Sequence, residues 1–253
     1  MEVDGKTHRH SKLGMPNSHC NEIYATLGSM NLDHVSFAAQ QDGLQATADR
    51  LAEQLGITYY DGGIHPRFGT RNLIFPLANG HYLEVVEALE HPAALATPFG
   101  QAARARSAKG GGWMAWCISV NNLAKVEERL ERKAVDGNRT PEGSEEIHWK
   151  QIGVKGVIAD GQLPYFIHWI SPAEMHPSAR PQRKLDGSGE LTGEDAVAIE
   201  SLQIAGSRDR VRDWLGTDAH KPIPEIGIDW VAPHGEPGIM SVTFSTPNGR
   251  VVL

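Results

Sequence analysis

Gly62-Gly63-Ile64-His65-Pro66-Arg67-Phe68-Gly69-Thr70-Arg71-Asn72, followed across Asn79-Gly80 by Tyr82-Leu83-Glu84, is the stretch on which the reading of the fold turns. Glycines at 62, 63 and 69 permit backbone conformations closed to other residues, and Pro66 fixes the chain direction, so residues 62–72 read as a shaped turn between strands. A turn needs the glycines and the proline but has no use for His65, Thr70 or Asn72. These three are candidates for the rim of a cleft, where they orient a ligand or, for His65, move a proton; plain turn-building is the alternative. Arg67 is either an attractor for a carboxylate or carbonyl or a solvated loop cation.

Working outward, residues 32–38 alternate as a strand, with Leu32, His34, Ser36 and Ala38 on one face and Val35 and Phe37 on the other. Leu44, Ala48, Leu51, Ala52 and Leu55 recur at helical spacing ahead of Gly56, which predicts an amphipathic helix. Strands are expected at 57–60, 70–77 and 81–89, with Asn79-Gly80 as a tight hairpin turn. A helix-like stretch covers 92–109, after which the order restarts: strand 113–120, helix 123–132, strands 147–154 and 163–170. Setting residues 37–41 over 118–122 brings the two halves into register as a weak internal repeat. The fold class is therefore α+β, two tandem βαββ modules (31–90 and 112–172) whose curled mixed sheets surround a cleft. A flexible leader is expected over 1–28, the two-module domain over 29–172, a Pro-, Arg- and Gly-rich linker over 173–193, and a third, shorter βαββ-like module over 194–253.

Composition narrows the function. Lys and Arg total 24 against 31 Asp and Glu, and a net charge of −7 opposes the phosphate attraction on which nucleic-acid binding depends. Cys20 and Cys117 make no disulfide framework, no window has the length of apolar sequence that spans a bilayer, and nothing near the start reads as a secretory signal. A cytoplasmic protein is expected, with a small-molecule ligand as partner, no nucleic acid or membrane, and a homodimer allowed. Phosphate loops, nucleophile elbows, CxxC pairs and His-Glu-x-x-His helices are all missing, which removes the common nucleotide-binding, hydrolase and zinc-protease readings. Glu84 stands in the otherwise apolar run 82–86, where burial without a partner is costly, so it is either paired or functional.

Leu32-Asp33-His34-Val35, the Gly62–Asn72 run and Tyr82-Leu83-Glu84 together resemble the glyoxalase-like group of the vicinal oxygen chelate superfamily. That resemblance implies a divalent-metal site fed by the first and last strands of each module. By position it gives the ligand slots of module one to His34 and Glu84. In module two the repeat register puts Ala115, which has no lone pair to offer, in the first slot and His168 in the last. His34, Glu84 and His168 would suit Fe, Mn, Zn or Ni with open positions for substrate. His34 and His168 have the alternative of ordinary hydrogen bonding in the cleft wall. Trp116 and Trp149, with Trp113 and Trp169, either make an aromatic wall for a substrate or belong to the core.

Two functions follow from the resemblance. One is a metal-dependent lyase, isomerase or dioxygenase acting on a small oxygen-bearing substrate, with His65 and Glu84 as catalytic groups. The other is a metal-free protein that binds or sequesters a small molecule.

Overall fold

Strand β1 (Met30–Ala38) is the axis of the molecule: it pairs in parallel with β4 (Tyr82–Ala88) and antiparallel with β5 (Gly112–Val120), so two modules join along their first strands. The computed structural model describes residues 30–141, 143–217, 223–232 and 235–253; the leader expected over 1–28 lies outside them. Module one runs β1, helix α1 (Leu44–Leu55), β2 (Tyr60–His65), β3 (Thr70–Pro76) and β4. Helices α2 (Pro92–Ala96) and α3 (Pro98–Ala108) lead to module two: β5, α4 (Leu123–Leu130), β6 (Val135–Arg139), β7 (Ile147–Ile152), α5 (Val154–Ala159) and β8 (Tyr165–Trp169). The eight strands form one sheet in the order β2-β3-β4-β1-β5-β8-β7-β6. It curls until its two edges meet at a bridge between Ile64 and Thr140.

The period of two along each strand divides two interiors. Val35, Leu83 and Val85 point to the outer core, where the buried face of α1 covers them. His34, Ser36, Tyr82, Glu84 and Val86 point inside the curl, a space closed by Phe99, Ala102 and Ala103 of α3 and by Val154 and Val157 of α5. α1 ends as its sequence predicts, with Gly56 in the left-handed region (φ 72°) and its N–H returned to the Ala52 carbonyl.

Several expectations need correction. The strand expected at 57–60 begins at Tyr60 and runs through Gly62 and Gly63 to His65, so the turn proper is only 66–69. Here the glycines answer to packing as well as turning: a Cβ on Gly62 would stand 2.1 Å from Asn72 Oδ1 and 2.4 Å from an Arg139 nitrogen. β6 was not expected, because Asp136-Gly137-Asn138 has neither apolar alternation nor branched residues. The helical stretch 92–109 breaks at Thr97-Pro98, since proline has no N–H to continue a helix.

The C-terminal part holds β11 (Ala198–Ala205), α6 (Arg208–Leu215), β12 (Gly227–Val231), β13 (Gly238–Thr246) and β14 (Gly249–Val252), paired β12-β11-β13-β14. Its first strand lies parallel to its second, whereas in the other two modules the first strand lies parallel to the last. Leu202, Val242 and Phe244 share one hydrophobic core with Leu32 and Val35. Between the sheets, β9 (Gln182–Arg183) and β10 (Glu190–Leu191) form a two-stranded ribbon. Among the described residues no helix is long and apolar enough to cross a membrane.

Candidate functional site

His34 lies at the floor of the curl with both ring nitrogens engaged. Nδ1 meets Asp33 Oδ1 at 2.7 Å, while Nε2 meets the Tyr165 hydroxyl at 2.6 Å and stands 3.5 Å from Glu84 Oε1. Glu84 accepts from the Ser36 hydroxyl (2.6 Å) on Oε1 and from the Asn72 amide (2.9 Å) on Oε2. Arg139 donates to Asn72 Oδ1 at 3.2 Å and to the Gly62 carbonyl at 2.8 Å. The Asn72 oxygen is thereby held toward Arg139, which leaves its NH2 to face Glu84. His65 Nδ1 pairs with the Thr70 hydroxyl at 2.9 Å, and its ring meets Trp149 edge-on. All of these polar side chains are buried.

Burial alone would neutralise such groups, and pairing decides otherwise. For His34 the loss of hydration is outweighed by hydrogen bonds and charge from Asp33 and Glu84, raising its pKa to about 9. Glu84 is buried too, yet the hydrogen bond and charge of His34 bring it down to about 2. Asp33 is held well below the ordinary carboxylate range, its burial outweighed by hydrogen bonds from His176 and His34. In the metal-free protein at neutral pH this is a buried carboxylate–imidazolium–carboxylate chain. His65 goes the other way: burial first, then the Arg139 charge, lower it to about 4, so it stays neutral. Burial pushes the Tyr165 and Cys117 protons well above their usual range.

The site therefore brings together His34, Glu84, His65, Thr70, Asn72 and Trp149, and leaves out His168 and Trp116. On β8, Tyr165, Ile167 and Trp169 face inward; His168 is on the opposite face, half-buried, with Nδ1 on the Val120 carbonyl. A one-residue slip in the repeat alignment suffices to exchange faces. The parallel pairings show the correct correspondence: Tyr82 stands beside His34 as Tyr165 stands beside Cys117, which equates Cys117 with His34 and Ile167 with Glu84. Module two thus brings Cys117 in place of His34 and Ile167, which has no ligand atom, in place of Glu84, while Tyr165 matches Tyr82. Trp116 is fully buried in the outer core, its N–H on the Gln162 carbonyl, and Trp113 stacks on Phe244. Trp149 and Trp169 do line the cavity.

Four contributors went unrecognised in the sequence: Asp33, Tyr165, Arg139 and His176. Asp33 and Tyr165 stand in strands whose pattern was read, and knowing which way they faced would have found them. Arg139 belongs to the unexpected β6, and His176 comes from the stretch read as linker, where it packs on Trp169 and Tyr82 and reaches Asp33 Oδ2 at 3.4 Å.

Asp33, His34 and Cys117 form a buried group whose ligand atoms all lie within 4.8 Å of one another and could hold a metal ion. His34 Nε2 and Glu84 Oε1 make a second pair, and only this one borders the cavity. Two ligands of one divalent ion, each about 2.1 Å from it, stand about 3 to 3.5 Å apart, which matches their 3.5 Å separation. The cavity is small: the centre of a water molecule can range over about 20 Å³. That is room for a water molecule or an ion beside the His34–Glu84 pair.

Two modules curled around a buried histidine–carboxylate pair make an α+β protein of the glyoxalase-like kind. The profile of the glyoxalase-like domain family matches residues 32–219, and the chain belongs to that family. Among solved structures, a hypothetical protein from Staphylococcus aureus superposes with a TM-score of 0.54 at 14% identity, covering 88% of this chain and 84% of its own. Methylmalonyl-CoA epimerase from Mycobacterium tuberculosis gives a TM-score of 0.37 at 14% identity, covering 56% of this chain and 89% of its own. A search of curated proteins gave no match.

Proposed function

We propose that the protein is a divalent-metal-dependent enzyme, a lyase, isomerase or dioxygenase, acting on a small oxygen-bearing organic substrate, with His34 and Glu84 holding the metal. The observation that carries this is the 3.5 Å approach of His34 Nε2 to Glu84 Oε1 beside the cavity, with His34 Nδ1 anchored on Asp33 and Glu84 Oε2 on Asn72. Metal-binding histidines characteristically pass their second ring nitrogen to a carboxylate, the role that Asp33 fills for His34. A bound divalent ion would supply Lewis acidity, polarising neighbouring substrate oxygens so that an adjacent proton becomes removable or O₂ can be activated. His34 must release its proton for this, and Tyr165 must yield or share Nε2.

The remaining residues have definable work. Asn72, aimed by Arg139, and Ser36 hold the Glu84 carboxylate in one orientation. His65 is neutral, and in the tautomer whose Nδ1–H donates to Thr70 its Nε2 is the nitrogen that can accept from a group in the cavity. Phe68, Phe99 and Trp149 exclude bulk water, which strengthens each of these polar interactions. Of the four tryptophans read as an aromatic wall, Trp149 and Trp169 line the cavity, while Trp113 and Trp116 belong to the outer core.

The test is elemental analysis of protein purified without an affinity tag, alongside Glu84→Ala and Glu84→Gln. About one divalent metal per chain, lost in both variants, is expected. A wild type that takes up no metal after reconstitution, yet binds small molecules in chelator, would establish sequestration instead.

A further inference from the structure

Phe68, Phe99 and Gln151 have a second role: they also line a larger outer chamber of about 600 Å³. Its other walls come from the turn after β2, the start of α3, the segment after α4, and the β7–α5 junction. Four cations line it, Arg67, Arg132, Lys133 and Lys155, and no aspartate or glutamate does. In a chain of net charge −7 this is a local inversion of sign. Lys133 reaches Glu127 at 3.5 Å from a largely exposed position, while Arg67, Arg132 and Lys155 meet no carboxylate among the described residues. The first turn of α3 opens on the same space and adds the partial positive charge of a helix N-terminus. Arg67, Arg132 and Lys155, gathered on a concave wall without an ion pair among the described residues, focus the field and raise the local concentration of anions.

We infer that this chamber binds the anionic tail of the substrate, a carboxylate or phosphate group carried at a distance from the reacting oxygens. The substrate is then an elongated organic anion whose reactive end passes between Phe68 and Phe99 into the inner cavity. The inner cavity is far too small to hold such a molecule whole, which leaves the adjoining chamber as the place for the rest of it. The assignment rests on the proposed function for its reactive end, but the chamber itself is testable without the metal.

The experiment is isothermal titration of the full chain, stripped of metal and at low salt, with inorganic pyrophosphate in one arm and succinate in the other. Saturable binding that weakens as NaCl is raised is expected, and the stronger arm distinguishes a phosphate-bearing from a carboxylate-bearing substrate. The double variant Arg132→Glu/Lys155→Glu should weaken binding at least tenfold. Lys150→Glu/Lys184→Glu, the same change of charge outside the chamber, should alter it less than twofold. Glu84→Gln should bind the anions as the wild type does even if it loses metal, so that failure of the metal site and failure of the chamber are told apart. Absence of saturable binding in both arms, or equal loss in the two charge-reversed variants, overturns the assignment.

Discussion

Glu84→Gln keeps the size and hydrogen-bonding shape of the side chain while removing the charge that faces His34. The rise of His34 from 6.5 to about 9 is what its two carboxylates contribute beyond the opposing cost of burying the imidazolium. At about 1.4 kcal/mol per tenfold change in proton affinity, that is on the order of 3 kcal/mol. With Asp33 still in place, removal of Glu84 should cost the metal-free protein about 1–2 kcal/mol or more. The pH dependence is the sharper signature. His34 has a raised pKa, so its contribution is complete below pH 6.5 and is lost as pH rises through about 9. Glu84 has a lowered pKa, so its contribution is present above 4.5 and is lost as pH falls through about 2. The cost of Glu84→Gln should therefore be greatest between pH 4.5 and 6.5 and fade above pH 9, where a neutral His34 no longer answers the carboxylate. Urea denaturation of both proteins in chelator at pH 6, 7.5 and 10 measures it. An equal loss at pH 6 and pH 10, or no loss at pH 6, would refute the buried ion-pair chain.

Arg139→Met removes the donor that orients Asn72 and should weaken metal retention by about tenfold or more, as loss of a partner behind a ligand does; metal titration with a competing chelator reads this. His168→Ala should leave metal content unchanged and shift stability by no more than about 1 kcal/mol, because its ring lies outside the curl; metal loss on this substitution would return the histidine to the ligand set. Gly62→Ala drives a methyl to within 2.1 Å of Asn72 Oδ1 and should cost about 1–3 kcal/mol or more, with metal affinity falling in parallel, as thermal unfolding and metal titration would show.

The sequence alone determined the paired modules, because hydrophobic period is a local property: strands β1, β4 and β5, helices α1 and α4, and the cap at Gly56 were all legible in it. It also marked His34, Glu84, His65, Thr70 and Asn72 as candidates, polar residues in an apolar strand or a shaped turn for which turn-building or plain pairing was the alternative. Tertiary structure alone decided which residues share a cavity. β6 has no local signal and exists because the β7 edge pairs with it, so Arg139 could not be seen to aim Asn72. The face of β8 depends on register, and a slip of one residue separates Ile167 in the cavity from His168 outside it. The charges of Asp33, His34 and Glu84 belong to neither strand by itself. They are set by strand pairing, which brings together in a dry interior groups far apart in the chain, where each makes the charge of the other tolerable.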